Sequence, residues 1–262
     1  MKTYRKLFRY ALKEQMEYRF NFSFSILTMI INDAAFLIIF AIFLSYFSST
    51  GLTLGSFLLL FALNTLVYAL INGIFANIGE LPNLIEQGKL DYYLSFPVKT
   101  LPFLMVSKIK VHNLGDLFFS LLAFVAYILF FLEGNRLLFS LKALGVSLLG
   151  GIFGFGLFVL IGSVGFVLQR GSKLRDLFQS FFLVFGSYPP EVFEQQKLIL
   201  PLLWLIGIFP SAYLPYWILI GKGGRETWLA LVLLSGGMLR IGIQTFQYGL
   251  KNYSSGNLVL QQ

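Results

Sequence analysis

Long apolar runs recur along the chain and are separated by short polar stretches. Runs of about 18 or more apolar residues are long enough to cross a membrane as helices. The strands of a membrane barrel would instead alternate apolar and polar residues, and these runs do not. The pattern therefore predicts an all-α polytopic membrane protein, with residues 1–262 forming a single transmembrane domain. The six predicted spans cover residues 22–47, 54–78, 104–131, 139–168, 177–188 and 227–248.

The first twenty residues combine basic and apolar side chains at helical spacing. This pattern predicts an amphipathic N-terminal helix that lies on the anionic cytoplasmic leaflet. An ordinary basic flank that orients the first span is compatible with the same residues. The apolar positions are Tyr4, Leu7, Phe8, Ala11 and Leu12, and the basic positions are Lys2, Arg5, Lys6, Arg9 and Lys13.

The apolar stretch 198–221 is interrupted by Pro201, Pro210 and Pro215. Each proline removes a backbone donor, so together they should bend the helix repeatedly. Such backbone is tolerated at membrane depth only against protein or beside a cavity. We therefore predict a broken, re-entrant helical pair at the external face before the last span. Cysteines placed at Ser211 and Ala212 should then be reachable from outside. The aromatic residues expected at headgroup level are Trp204, Tyr213, Tyr216 and Trp217.

The basic residues favour six crossings with both termini in the cytoplasm. Cytoplasmic loops carry an excess of Lys and Arg, and this arrangement places most of the 20 Lys and Arg residues inside. Counting 198–221 as a seventh crossing weakens the asymmetry only slightly. After the basic N-terminal flank, the residues assigned to the cytoplasmic side are Lys89, Lys99, Lys108, Lys110, Arg170, Lys173, Arg175, Arg240 and Lys251. The residues assigned to the external side are Arg136, Lys142, Lys197, Lys222 and Arg225.

Composition excludes several classes of function. The chain has 57% hydrophobic and 12% charged residues, and its net charge of +8 lies in the flanks of the spans, so no nucleic-acid partner is predicted. Without cysteine, disulfides and thiol chemistry are excluded. One histidine and no GxxxxGK[ST] motif argue against a metal centre or a nucleotide site. We expect no catalytic residues, and Gly150 and Gly154 are expected to let helices approach closely.

Acidic residues inside the predicted spans are candidates for function. Asp33 lies in the middle of the first span, beside Asn32. A carboxylate in lipid is costly, so it should face the bundle or a wet cavity. Two interpretations stay open: a group on a translocation path or ion site, or an Asp packed against a neighbouring span or held neutral. His112 and Asp116 are predicted to form a local pair one helical turn apart.

The polar segment 79–102 separates the second and third spans and carries mixed charges. The order of apolar and charged residues along this segment indicates a short helix that is presented to a soluble partner. Gly88 is expected to form a tight turn. Leu84, Ile85, Leu90 and Leu94 are expected to anchor the segment to the bundle while its charges face the cytosol. The candidate partner-binding residues are Glu86, Gly88, Lys89, Leu90, Asp91, Leu94 and Pro97.

The run IEQGKLDYYLSFPVKTL, residues 85–101, resembles the I-x-x-G-x-L-D-x-x-L-x-x-P-x-x-x-L signature of ABC-2 type exporter permeases. Tyr188-Pro189, Phe209-Pro210 and Tyr213-Leu214-Pro215 are also similar to that family. The predicted six spans, amphipathic first helix and re-entrant pair match its architecture along essentially the full length. Many members carry Arg before the signature proline, where this chain has Phe96.

The resemblance implies a permease subunit of an ATP-driven exporter in the cell (inner or plasma) membrane. It implies a separate cytosolic ABC ATPase that uses ATP and Mg, with no cofactor bound by this chain. It also implies a second permease chain, identical or homologous, and makes the polar segment a cytoplasmic coupling helix. The aromatic content of 18% is compatible with an amphipathic or lipid-like cargo. An ion-driven secondary transporter and a non-transporting membrane scaffold remain the alternatives.

Overall fold

The computed structural model describes residues 2–17, 19–46, 53–168, 171–193 and 199–254. Within these ranges every regular element is helical, which confirms the predicted all-α fold. The α-helices are α1 (Lys2–Met16), α2 (Arg19–Tyr46), α3 (Leu54–Ala69), α4 (Ala76–Gly79), α5 (Leu81–Glu86), α6 (Leu90–Leu94), α7 (Thr100–Val106), α8 (His112–Phe130), α9 (Arg136–Ser163), α10 (Gly171–Gly186), α11 (Ile199–Leu205), α12 (Leu214–Leu219) and α13 (Arg225–Lys251). Short π-helical turns occupy Leu70–Ile74 and Phe209–Tyr213, and 3₁₀ turns occupy Val164–Phe166 and Pro190–Phe193.

Helix α1 has the predicted amphipathic pattern. Ala11 is buried and Leu7 is half-buried, whereas Arg5, Arg9 and Lys13 are exposed. The apolar face lies against α7, the helix that follows the polar segment. This placement confirms the helix and shows what its apolar face contacts.

Five helices are long and apolar enough to span a membrane, and they correspond to five of the six predicted spans. A sixth candidate by length and composition is the bent pair Ile199–Leu205 and Phe209–Leu219, whereas the predicted fifth span corresponds to α10, whose 16 residues rise about 24 Å. That length is less than the roughly 30 Å of a bilayer core. The five spanning helices are α2, α3 with its π turn, α8, α9 with its 3₁₀ turn, and α13.

One predicted boundary is wrong. The third span begins at His112 rather than at residue 104, because α7 ends at Val106 and the next residues are not helical. There the backbone N–H of Lys110 donates to the carbonyl of Gly73 at 2.9 Å, and the chain changes direction. The helix of the fifth predicted span begins at Gly171, inside the loop that precedes residue 177.

The helices alternate between two ends of one bundle. One end holds α1, the polar segment, the start of α10 and the end of α13, where the Phe166 ring meets Tyr253. The opposite end holds α12 and the start of α13, with an ion pair of 3.0 Å between Lys222 and Glu191. Both described termini therefore lie at the same end of the bundle. Arg170 and Lys197 of the charge count lie outside the described residues, and Arg240 lies within α13 rather than at an end.

The proline-rich stretch bends once rather than repeatedly. Its two helical parts, Ile199–Leu205 and Phe209–Leu219, meet at an angle of 82°, and its first residue, 198, lies outside the described part. Gly207, at φ +78°, makes the turn, which a left-handed backbone favours for glycine. Pro201 and Pro210 lie near the starts of the two helical parts, where a missing N–H leaves no backbone bond unmade, whereas Pro215 lies inside the second part, directly after its π-helical turn.

The second part of this pair is buried more deeply than the sequence indicates. Tyr213 and Tyr216 are enclosed by protein, so their predicted place in an aromatic belt is wrong. Ser211 and Ala212 are also buried, which contradicts the expected access from outside. Trp204, with 46% of its surface exposed, fits the belt, and Trp217 is partly exposed; the Trp204 ring stacks on Phe209 across the bend.

Glycines of α9 explain why the pair lies so deep. A Cβ on Gly150 would stand 2.6 Å from the carbonyl oxygen of Ser211, and one on Gly154 would stand 2.4 Å from Val67. Gly150 therefore lets the re-entrant pair approach α9, and Gly154 lets α3 do so. The predicted role of both glycines in close packing is confirmed.

Candidate functional site

The polar segment 79–102 folds into two short helices, α5 and α6, joined by a turn. Gly88 in this turn has φ +65°, a backbone conformation that glycine adopts without strain, and a Cβ there would meet open space. Leu84, Ile85 and Leu90 are buried and hold the segment against the bundle. Leu94 is 37% exposed, so its predicted anchoring role is wrong. The α6 helix is only five residues long, and Leu94 is at its end.

The exposed surface of the segment is both charged and aromatic. Lys89 and Pro97 are exposed, and the rings of Tyr92 and Phe96 meet edge to face with centroids 5.1 Å apart. Asp91 is partly exposed and faces Tyr253 at the end of α13. Burial, followed by the neighbouring Asp91 carboxylate, raises the pKa of the Tyr253 hydroxyl to about 12. The segment thus exposes a charged and aromatic surface, while Asp91 keeps it in contact with the end of α13.

Glu86 contacts α10 rather than standing free. Its carboxylate accepts hydrogen bonds from the backbone N–H of Ser172 at 2.6 Å and from the Ser172 hydroxyl at 2.7 Å. Ser172 is the second residue of α10, where backbone N–H groups have no partner within the helix. A carboxylate at this position also interacts favourably with the helix dipole. Glu86 therefore fixes the start of α10 to the segment.

A second contact joins the same elements through Glu80, which precedes α5. Its carboxylate pairs with Lys110, accepts a hydrogen bond from Asn83 and lies 3.4 Å from Arg175 of α10. Arg175 is buried and also donates to the carbonyl of Gly79 at 2.8 Å. Burial alone would raise the pKa of Glu80, but the bonds from Lys110 and Asn83 and the two positive charges lower it to about 2.

Further along α10, polar side chains continue these contacts with α3 and its π turn. Gln179 donates to Asn72 at 2.8 Å. Asn64 donates to the carbonyl oxygens of Phe182 and Leu183 at 3.2 and 3.4 Å. These hydrogen bonds fix the relative position of α3 and α10, although the amide oxygen Oδ1 of Asn64 has no hydrogen-bond partner among the described residues.

The other end of α10 is bonded to the re-entrant pair. The hydroxyl oxygen of Tyr213 lies 3.0 Å from the carbonyl oxygen of Phe185 and 3.0 Å from that of Tyr188, and these two acceptors share its one hydrogen. Helix α10 thus connects the polar segment at one end of the bundle to the re-entrant pair at the other. Glu80, Arg175, Asn64 and Tyr213, which make this connection, were not recognised in the sequence. The sequence offered only one indication of their role, which is that they are polar residues inside or beside apolar runs.

A cleft of about 900 Å³ separates α1 from the polar segment. Lys13 and Glu14 of α1 line one wall, and Tyr92, Tyr93 and Phe103 line the other. Its walls combine rings with both signs of charge, a composition typical of protein-binding surfaces.

A second cavity, of about 380 Å³, lies between α2, α3, α8 and α10 and opens at the surface, where Asn32 and Ile39 are exposed. Asp33 lines it with 7% of its surface exposed, and Asp116 lines it with 4% exposed. The prediction that Asp33 faces the bundle or a cavity is therefore confirmed, and its neighbour Asn32 lines the same space. The structure adds Asp116, which lines the same cavity from α8.

The predicted pair of His112 and Asp116 is not the contact that the structure shows. Asp116 instead accepts a hydrogen bond of 3.3 Å from Asn113, three residues before it on α8. His112 lines the same cavity. Both i, i+3 and i, i+4 neighbours share a helix face, so spacing alone does not select between the two partners.

In a comparison with protein families, the model described as ABC-2 family transporter protein aligns with residues 29–256. No curated protein and no solved structure matches the chain significantly. The matched region begins within α2 and continues beyond α13, so it includes the polar segment, the cavity lined by Asp33 and Asp116, and the re-entrant pair. The chain therefore belongs to the ABC-2 family of transporter proteins, a family of multi-pass membrane transport components.

Proposed function

We propose that this chain is the permease subunit of an ATP-driven exporter, and that residues 79–102 are its coupling segment. In this proposal the segment binds a separate cytosolic ATPase, which uses ATP and Mg. The main support is the connection through α10, because Glu86 and Glu80 join the segment to the start of that helix. Tyr213 joins the end of the helix to the re-entrant pair. A displacement of the segment would therefore reach the far end of the bundle.

The orientation of the proposal follows from charge. The end of the bundle that holds the coupling segment also holds α1 and its exposed Arg5, Arg9 and Lys13. Basic residues concentrate on the cytoplasmic side of membrane proteins. Both termini are then cytoplasmic in the cell membrane, and the re-entrant pair lies at the external face. There the pair would act as a gate, with Pro201 and Pro210 near the starts of its two helical parts and Pro215 directly after the π-helical turn.

A second permease chain completes the proposed exporter. Only 11% of the apolar window of α2 is buried within the chain, against 72% for α3. The exposed face of α2 is therefore available to lipid or to an identical or homologous partner. An ATPase pair that closes would rotate two such chains against each other and change access to a path between them, as a bistable interface allows.

The test is co-purification of the ATPase from native membranes. Asp91→Lys reverses a charge on the coupling segment, and we expect the variant to reach the membrane but to lose the ATPase and ATP-dependent export. Tyr253→Phe is the matched control, because it removes the hydroxyl that faces Asp91 and leaves the segment's charge unchanged. Retention of both the ATPase and export by Asp91→Lys would show that the segment is not the coupling site.

One observation favours a second candidate, an ion-driven secondary transporter. The sequence indicated a single acidic residue deep in the spans, whereas the structure places Asp33 and Asp116 in one cavity. Carboxylates inside a membrane bundle are typical of ion pathways. Transport into liposomes that contain this chain alone, driven by a proton or sodium gradient without ATP, would support that candidate against the exporter.

A further inference from the structure

The cavity between α2, α3, α8 and α10 contains two carboxylates that the coupling mechanism does not use. Asp33 Oδ2 and Asp116 Oδ1 are buried, and neither atom has a hydrogen-bond partner in the described structure. Asn113 donates to the other oxygen of Asp116, and Asn32 approaches Asp33. One oxygen of each carboxylate thus remains unsatisfied at the wall of the same cavity. A buried polar atom without a partner is costly, so this arrangement points to an occupant.

The charges of the residues that line the cavity indicate the charge of its occupant. Among the described residues that line the cavity, His112 is the only basic side chain. An imidazole has an ordinary pKa of about 6.5 and is mostly neutral at pH 7. The remaining polar lining residues, Asn32, Thr65, Tyr68, Asn113 and Ser187, carry no positive charge. Two buried carboxylates without a cationic neighbour are neutralised either by a proton or by a positive charge from outside the chain.

The size and the aromatic wall indicate what kind of cation fits. A volume of about 380 Å³ lies in the range of small-molecule pockets and greatly exceeds the roughly 30 Å³ of one water molecule. Phe36, Phe61 and Tyr68 line the cavity beside the carboxylates. Aromatic faces next to carboxylates are a setting that binds ammonium groups. The described residues offer no group of three or more His, Cys, Asp or Glu that could hold a metal ion.

We propose that this cavity is a binding site for an organic ammonium group, with Asp33 and Asp116 as its counter-charges and Phe36, Phe61 and Tyr68 as its aromatic wall. The inference rests on the proposed function, because in a transporter such a site would select cargo that carries a positively charged amine. The proposed site therefore narrows the expected cargo from amphipathic molecules in general to those that carry a positive charge. Asn113 positions Asp116 through the bond of 3.3 Å.

The experiment compares a cation with a neutral molecule of the same shape. Radiolabelled benzyltrimethylammonium is dialysed to equilibrium against the full chain in lipid nanodiscs, without the ATPase. Neopentylbenzene, its uncharged carbon isostere, is offered as the competitor. We expect saturable binding of the cation that an excess of the isostere does not displace. No binding, or equal displacement by the neutral compound, would overturn the proposal using the unaltered protein alone.

Variants then locate the bound cation. Asp33→Asn and Asp116→Asn each remove one charge at nearly constant volume, and each should weaken binding roughly tenfold or more, as loss of a charge-assisted contact does. Glu133→Gln removes an exposed carboxylate at the opposite end of the bundle and should leave the Kd unchanged. Equal weakening by all three variants would show that the probe responds to overall charge and would contradict the site.

Two further outcomes separate this site from other possibilities. Displacement of the probe by sodium or potassium at millimolar concentration would identify an alkali-ion site and overturn the proposal of an ammonium group. Because dialysis requires neither ATP nor a partner, failed binding with intact ATP-dependent export would reject the site alone. Intact binding with no ATP-dependent export would reject the exporter and leave the site standing.

Discussion

The carboxylate of Glu86 accepts two hydrogen bonds from Ser172, one from its backbone N–H at 2.6 Å and one from its hydroxyl at 2.7 Å. The residues are 86 positions apart, yet this contact joins the coupling segment to the first turn of α10. An exposed acidic residue in a signature loop would ordinarily be assigned to partner binding. Here its contacts are within the chain, so its proposed part in coupling is to hold α10.

Glu86→Gln tests this contact. The amide still offers an acceptor oxygen, but its negative charge is lost, so the first turn of α10 should loosen by about 1 kcal/mol, as on loss of a helix cap. Hydrogen exchange of the amides in residues 171–175 should accelerate several-fold. Exchange in α9 should not change. Glu133→Gln, which removes a carboxylate outside the segment, is the control, and unchanged exchange at 171–175 in Glu86→Gln would contradict the assigned contact.

The network around Glu80 should make stability depend on pH in the acid range. The pKa of Glu80 is lowered from 4.5 to about 2, so its ionised form is favoured in the folded state. Its stabilising contribution is therefore fully present above about pH 4.5 and is lost as the pH falls towards 2. Removing one partner of such a half-buried network costs roughly 1–3 kcal/mol.

Thermal unfolding of Glu80→Gln, measured in detergent between pH 3 and pH 7, checks this dependence. The variant should unfold at a lower temperature than the unaltered chain at pH 6–7, and the difference should shrink as the pH approaches 3. Glu133→Gln should give a curve parallel to that of the unaltered chain. A constant difference at all pH values would show that the cost is one of packing and not of ionisation.

The parts of this fold that were predictable from sequence are those set by local pattern. The apolar runs gave the spans, and the spacing of Leu7 and Ala11 against Arg5 and Arg9 gave α1. The turn at Gly88 also follows from local backbone preference, since its φ is +65°. Asp33 was recognised because a carboxylate inside an apolar run has to face protein or water.

The missed features depend on contacts between distant residues. Asn64 and Phe182 are 118 residues apart, and nothing local indicates that an asparagine in one span bonds a carbonyl in another. The depth of the re-entrant pair depends on Gly150, which lets the carbonyl of Ser211 approach α9. The prolines were misread for a related reason: their effect depends on where each helical piece begins, and Gly207 rather than a proline makes the bend.

Tyr213→Phe should separate folding from transmission. It removes only the hydroxyl that donates to the carbonyls of Phe185 and Tyr188, each at 3.0 Å. The cost to stability should be about 1–2 kcal/mol, because the ring remains in place and two buried carbonyls lose one shared donor.

We expect the Tyr213→Phe chain to keep its ATPase partner but to export less per ATP hydrolysed, since α10 no longer holds the re-entrant pair. The measurement is the ratio of cargo exported to phosphate released in proteoliposomes. Tyr248→Phe, at a tyrosine with 70% of its surface exposed, is the control. An unchanged ratio in Tyr213→Phe would exclude this bond from the transmission of movement.

Access to the re-entrant pair should depend on ATP turnover. Single cysteines can be introduced without background because the chain contains none. A cysteine at Trp204, which is 46% exposed, should react with a membrane-impermeant thiol reagent from outside whether or not ATP is present. A cysteine at Ala212, which is fully buried, should react slowly at rest and several-fold faster while the ATPase is turning over, if the pair moves as a gate.

Labelling of Trp204→Cys only from the cytosolic side would contradict the orientation. A rate at Ala212→Cys that does not respond to ATP would leave the pair a fixed part of the bundle and exclude it as the gate.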